Sequence, residues 1–121
     1  MLIEGLYKIT AIETTDGGIL AKVHLNKDHA IFKGHFPGNP VMPGVCMIQI
    51  IKELTEEATK KNLFLAVSSN IKFMAIINPD KNPDLQIAID ITEENGEVKV
   101  KNVTSYEETV ALKLSATFKI V

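Results

Sequence analysis

Residues 34–51 read Gly-His-Phe-Pro-Gly-Asn-Pro-Val-Met-Pro-Gly-Val-Cys-Met-Ile-Gln-Ile-Ile. Two physical regimes meet inside this stretch. Up to residue 42 it is loop chemistry, since Gly34, Pro37, Gly38, Asn39 and Pro40 break any regular element. Pro43 stands where a first helical residue belongs, because the N–H it lacks would have no intrahelical partner there. From Val45 to Lys61 there is neither proline nor glycine, and Val45–Ile51 is apolar nearly all round. A helix apolar on every side is buried. The spacing therefore predicts one central helix over 45–61, turning polar from Lys52 onward.

The flanks supply what such a helix must be buried in. Upstream, Leu6 to Leu25 reads as two strands around Asp16-Gly17-Gly18, with Ile9–Ile12 on one side and Leu20–Leu25 on the other. Residues 26–42 form a long loop, and long ordered loops tend to carry function. Downstream the period becomes two. An apolar strand over 64–77 stops at Asn78-Pro79, and Leu85, Ile87, Ile89 and Ile91 alternate with polar neighbours. Asn95-Gly96 is a strong hairpin signal, Val98, Val100 and Val103 return, and Val110 to Ile120 makes a last alternating strand. Hairpin, loop, helix and about four strands amount to an α+β fold in which an antiparallel sheet covers one central helix.

Composition narrows the function classes. With 121 residues and 45% hydrophobic content, residues 1–121 fit a single domain. A net charge of −2 creates no field favouring nucleic acid or an anionic membrane. Cys46 is the lone cysteine, which rules out an internal disulfide and a thiolate metal cluster. The spacing of His24, His29 and His35 matches no metal-ligand pattern. No apolar run approaches the roughly 20 residues of a membrane span, and the first residues lack a secretory leader pattern. The expected setting is the reduced cytoplasm.

Ile31-Phe32-Lys33-Gly34-His35-Phe36-Pro37-Gly38-Asn39-Pro40-Val41-Met42-Pro43-Gly44-Val45 resembles the signature of the 3-hydroxyacyl-[acyl carrier protein] dehydratases. Lys72-Phe73 ahead of Asn78-Pro79 is similar to a strand element of the same family. In that element the family usually has arginine where Met74 stands, and a tighter turn than Pro79–Asp84. The resemblance implies the hot-dog fold, a curved antiparallel β-sheet wrapped around one long central helix. It also implies loss of water from a 3-hydroxyacyl thioester to give a 2-enoyl thioester.

That elimination needs a base at the carbon beside the thioester, a donor to the carbonyl oxygen, and an acid for the departing hydroxyl. His35 matches the family's base, and an imidazole titrates near working pH. Gly44 matches the donor: first-turn N–H groups lack partners at the positive end of the dipole, and a missing Cβ lets the thioester approach. The third role departs from the family. Its glutamate or aspartate, five residues past the glycine, is Gln49 here, and an amide cannot deliver a proton as a carboxylic acid does. Members with the glutamate often carry glutamine one turn later, where this chain has Glu53. Residues i and i+4 share a helix face, so acid and amide are expected to have exchanged places.

Phe36, Met42, Met47 and Phe73 are candidates for the lining of an acyl tunnel, or for plain core. Cys46 reads as a small core residue, though a helix N-terminus can lower a thiol's pKa. Lys33, Lys72 and Lys81 are candidates for contact with an acidic carrier. The family's acid and base come from different subunits, which implies a homodimer at least, up to a trimer of dimers. The resemblance implies no cofactor or metal, only substrate carried on the phosphopantetheine of acyl carrier protein or on coenzyme A. Two other functions stay open: a non-catalytic acyl-binding or heterodimer-partner subunit, favoured by Gln49, and an acyl thioesterase on the same fold. Acyl chain length is not legible.

Overall fold

The structure, a computed structural model, describes residues 5–32 and 41–121, with backbone alone for residues 66–69. Lys33, His35 and Phe36, named above as candidates, lie outside the described residues. In chain order the elements are β1 (Tyr7–Thr15), β2 (Gly18–Leu25), a 3-10 turn at Ala30–Phe32, α1 (Gly44–Thr59), β3 (Leu63–Phe73), β4 (Asp84–Glu94), β5 (Glu97–Tyr106) and β6 (Thr109–Ile120). The strands make one antiparallel sheet in the order β1-β2-β4-β5-β6-β3, leaving β1 and β3 as its edges. The sheet curls around α1, which is the hot-dog arrangement.

Period-two patterning decides which face turns inward. Leu85, Ile87 and Ile89 of β4, Val98 and Val100 of β5, and Leu112, Leu114, Ala116 and Phe118 of β6 are buried. They meet a stripe on α1 made of Cys46, Met47, Ile50, Ile51 and Leu54, at the i, i+4 spacing of one helix face. Full burial of one such side chain is worth about 1.5–3 kcal/mol. Two polar side chains of β5 also face inward and are satisfied. Asn102 Nδ2 donates to the Ala88 carbonyl at 3.0 Å, and Thr104 Oγ1 donates to Asn102 Oδ1 at 3.0 Å. At the β4–β5 turn Asn95 (φ 53°) and Gly96 (φ 78°) both take the left-handed conformation that a two-residue hairpin loop demands.

Four expectations need correction. The helix begins at Gly44, not Val45, and Pro43 sits just outside it as an extended N-cap (φ −66°, ψ 146°). The Pro43 carbonyl accepts the first helical bonds, from the N–H groups of Cys46 (3.1 Å) and Met47 (3.3 Å). The helix closes at Thr59, where Lys60 turns left-handed (φ 58°) and donates its N–H to the Glu56 carbonyl, two residues short of Lys61. The first half of α1 is not covered all round either: Val45 is 74% exposed, on the side away from the sheet. Finally, β3 ends at Phe73, before residue 77. The Met74 and Ala75 N–H groups both turn to the Ala111 carbonyl (2.8 and 3.2 Å), and the chain leaves the ladder there.

Candidate active site

The start of α1 is assembled from two chain segments. The Met42 N–H donates to the Ile77 carbonyl at 2.8 Å, tying the approach to the helix against the residues that follow β3. Between residues 41–44 and 73–77 lies a groove of about 520 Å³, with Met42, Gly44, Phe73 and Ile76 in its lining. A Cβ at Gly44 would stand 2.9 Å from Phe73 Cζ and 3.2 Å from Cε2, so any side chain there requires the Phe73 ring to move aside. Its N–H belongs to the first turn, before the intrahelical bonds begin, at the positive end of the helix dipole. A backbone donor beneath an aromatic wall in an apolar groove can polarise a carbonyl oxygen.

Further along α1 the structure brings together the two residues whose exchange the sequence suggested. Gln49 Nε2 donates to Glu53 Oε2 at 2.9 Å, one helical turn away. The other carboxylate oxygen, Oε1, accepts from the Tyr7 phenol at 2.7 Å. Tyr7 enters from β1, 46 residues earlier in the chain, and sequence reasoning missed it. The pairing reaches it only through sheet register; the one local signal is an aromatic at the mouth of the strand. Burial pushes the Tyr7 phenol well above the ordinary tyrosine range, and the neighbouring Glu53 pushes it further, so it stays a neutral donor.

The remaining candidates divide. Phe73 and Met42 do line the groove at the helix start, whereas Met47 is fully buried in the core and does not. Cys46 is a buried thiol in the core, as its reading as a small core residue expects, and burial pushes its pKa up. His24 lies on β2 with Nδ1 2.7 Å from Asp84 Oδ1, while His29 Nδ1 accepts the Ile31 N–H at 3.1 Å. Among the described residues no group of His, Cys, Asp and Glu could hold a metal. Lys72 is exposed on β3, opposite Lys113 of β6. Lys81 sits in the turn before β4, where it lines a cleft with Thr10 and Lys22. No helix among the described residues is long and apolar enough to cross a membrane.

By its topology the chain is a hot-dog protein. The model of the ApeI-like family (ApeI dehydratase) matches residues 11–113, and the chain belongs to that family. It is similar to the 3-hydroxyacyl-[acyl-carrier-protein] dehydratase FabZ of Lactobacillus helveticus (strain DPC 4571), with 29% identity over 129 aligned positions, 97% of this chain and 86% of that protein. The protein of the same name from Rickettsia massiliae (strain Mtu5) is 30% identical over 103 positions, covering 78% of this chain and 68% of that one. Among solved structures, a chain of the dehydratase heterocomplex ApeI:P from Xenorhabdus doucetiae superimposes with a TM-score of 0.76 at 18% identity, covering 93% of this chain and 96% of that one. A hypothetical thioesterase with coenzyme A from Streptococcus pneumoniae TIGR4 gives 0.66 at 14%, over 95% and 85%. Such structural likeness, at these identities, shows the shared fold alone.

Proposed function

We propose that this chain eliminates water from 3-hydroxyacyl thioesters, with the acyl group carried on the phosphopantetheine of acyl carrier protein or on coenzyme A. The observation that carries this reading is the Glu53 carboxyl group, hydrogen-bonded to the amide that stands in the family's acid position. His35 takes the proton from the carbon beside the carbonyl, and the electron pair shifts toward the carbonyl oxygen, which the Gly44 N–H stabilises. The pair returns to form the double bond as the C3–O bond breaks, and Glu53 protonates the departing hydroxyl, with Gln49 holding it. Two proton transfers balance the reaction without electron transfer, so the scheme calls for no metal or cofactor beyond the carrier arm. We place it in the cytoplasm.

Helix geometry supports a site shared between two subunits. Glu53 is nine residues beyond Gly44, about 13.5 Å along the axis. The carbonyl and the 3-hydroxyl of one substrate are only two carbons apart. A single helix therefore does not serve both ends of the same molecule, and Glu53 acts on substrate bound at a partner's Gly44. The edge strand β3 and the helix start also present Phe64, Ile71, Phe73, Ile76 and Val45 to solvent, an apolar margin suited to a second subunit. We propose a homodimer as the working unit.

A second reading is favoured by Gln49: the chain is one half of a mixed dimer whose partner carries the acid. The solved relative named above is itself a dehydratase heterocomplex. An assay of the purified chain alone, following enoyl formation from a 3-hydroxyacyl carrier substrate, decides between them. Turnover by the lone chain supports the homodimer, and turnover only with an added partner supports the mixed one. Release of free thiol without an enoyl product would point to thioester hydrolysis.

A further inference from the structure

We infer that Tyr7 is a positioning residue for the acid: its phenol holds the Glu53 carboxyl group in the orientation that meets the substrate hydroxyl. This rests on the dehydratase reading above, and it adds a residue that the signature stretch does not contain.

The local architecture singles Tyr7 out. Every other residue of β1, from Lys8 to Thr15, is exposed, and Tyr7 alone is half-buried and packs against the core. Its backbone is clamped on both sides. Leu6 before it is fully buried, the Asn26 N–H donates to the Leu6 carbonyl at 2.8 Å, and Asn26 Nδ2 donates to the Gly5 carbonyl at 2.8 Å. Gly5, at φ 75°, takes a turn that side-chain-bearing residues rarely adopt. Opposite Tyr7 in the ladder stands Leu25, also buried. The phenol is thus delivered from a fixed platform, not from a mobile strand end.

A glutamate on a half-buried helix face has three rotatable bonds and several rotamers open to it. Gln49 donates to one carboxyl oxygen from the same helix. A second donor from a different element, on the second oxygen, fixes the plane of the group. The phenol spends its proton on Glu53 Oε1, so its part is to orient that group.

The test compares wild type, Tyr7→Phe, Glu53→Gln and the double variant in steady-state dehydration. Tyr7→Phe keeps the ring and its packing. Its kcat should fall about tenfold to a hundredfold, as expected when a catalytic group is misplaced by an ångström or less, with KM within about twofold. In the Glu53→Gln background the same change should cost nothing further, since Tyr7 acts through Glu53. An unchanged kcat in Tyr7→Phe, or the same loss repeated on top of Glu53→Gln, overturns the inference. A wild-type chain without turnover, alone and with an added partner subunit, sinks the dehydratase reading instead. The contact then has its own readout, because the chain has two tyrosines and no tryptophan. Alkaline titration of phenol absorbance, wild type minus Tyr7→Phe, reports Tyr7, and Glu53→Gln should move its ionisation to lower pH. No movement means the hydrogen bond does not exist, whatever the activity.

Discussion

The first turn of α1 and the stretch two turns later are built on opposite principles. At Gly44 the helix is reduced to backbone under an aromatic ring, in a groove whose lining among residues 41–44 and 73–77 carries no ionisable side chain. At Gln49 and Glu53 the same helix is polar and cross-linked, with a carboxylate held by an amide from its own face and a phenol from β1. A backbone donor cannot be replaced by substitution, only blocked. Side chains one turn apart can trade places and still reach the same space. That difference is what lets the proposed reading keep the helix-start glycine while exchanging the places of acid and amide.

The contrast can be broken from either end. The largest effect should come from Glu53→Gln, which removes the proposed general acid and should lower kcat by about 10²–10⁴ with little change in the urea midpoint. Leu54→Ala, the next residue but on the buried stripe, should do the reverse: a loss of about 2–5 kcal/mol of stability in urea unfolding, with kcat of the folded protein retained. Gly44→Ala drives a methyl into Phe73 and covers the donor. We expect turnover to fall about tenfold to a hundredfold, partly recovered when Phe73→Leu is added. The smallest effect is in pH. The Tyr7 phenol is raised in the folded protein, so its contribution to stability is complete below the free-tyrosine pKa of about 10 and is lost as pH rises beyond it. Thermal melting between pH 9 and 11 should therefore fall more steeply in wild type than in Tyr7→Phe, the Cys46 contribution being common to both.

Much of the fold was legible because its signals are local. Asn95-Gly96 and the alternation from Leu85 to Ile91 announce a hairpin, and both its turn dihedrals and its buried face agree. Pro43 was misjudged by one position because extended N-cap and first helical residue both tolerate its fixed φ. Val45 was taken as buried because hydropathy does not say how far a sheet wraps, and here it stops short of that side. The end of β3 was misplaced because Met74–Ile77 is as apolar as a strand while its N–H groups turn away from the ladder. In the site, Gly44, Gln49 and Glu53 were named through the resemblance to the dehydratase signature, and helix spacing added only that Gln49 and Glu53 share a face. Met47 could not be told from a tunnel residue, since both are apolar, and only packing places it in the core. Tyr7 was invisible because its partner lies 46 residues away.

The claim that acid and amide have exchanged places has a direct measurement: kcat of Glu53→Gln beside that of the reversed pair, Gln49→Glu with Glu53→Gln. The account predicts a loss of at least about a hundredfold in the single variant and recovery of most of it in the reversed pair, where the carboxyl group returns to the family's position. Full activity in Glu53→Gln, or a reversed pair as inactive as the single variant, would contradict it.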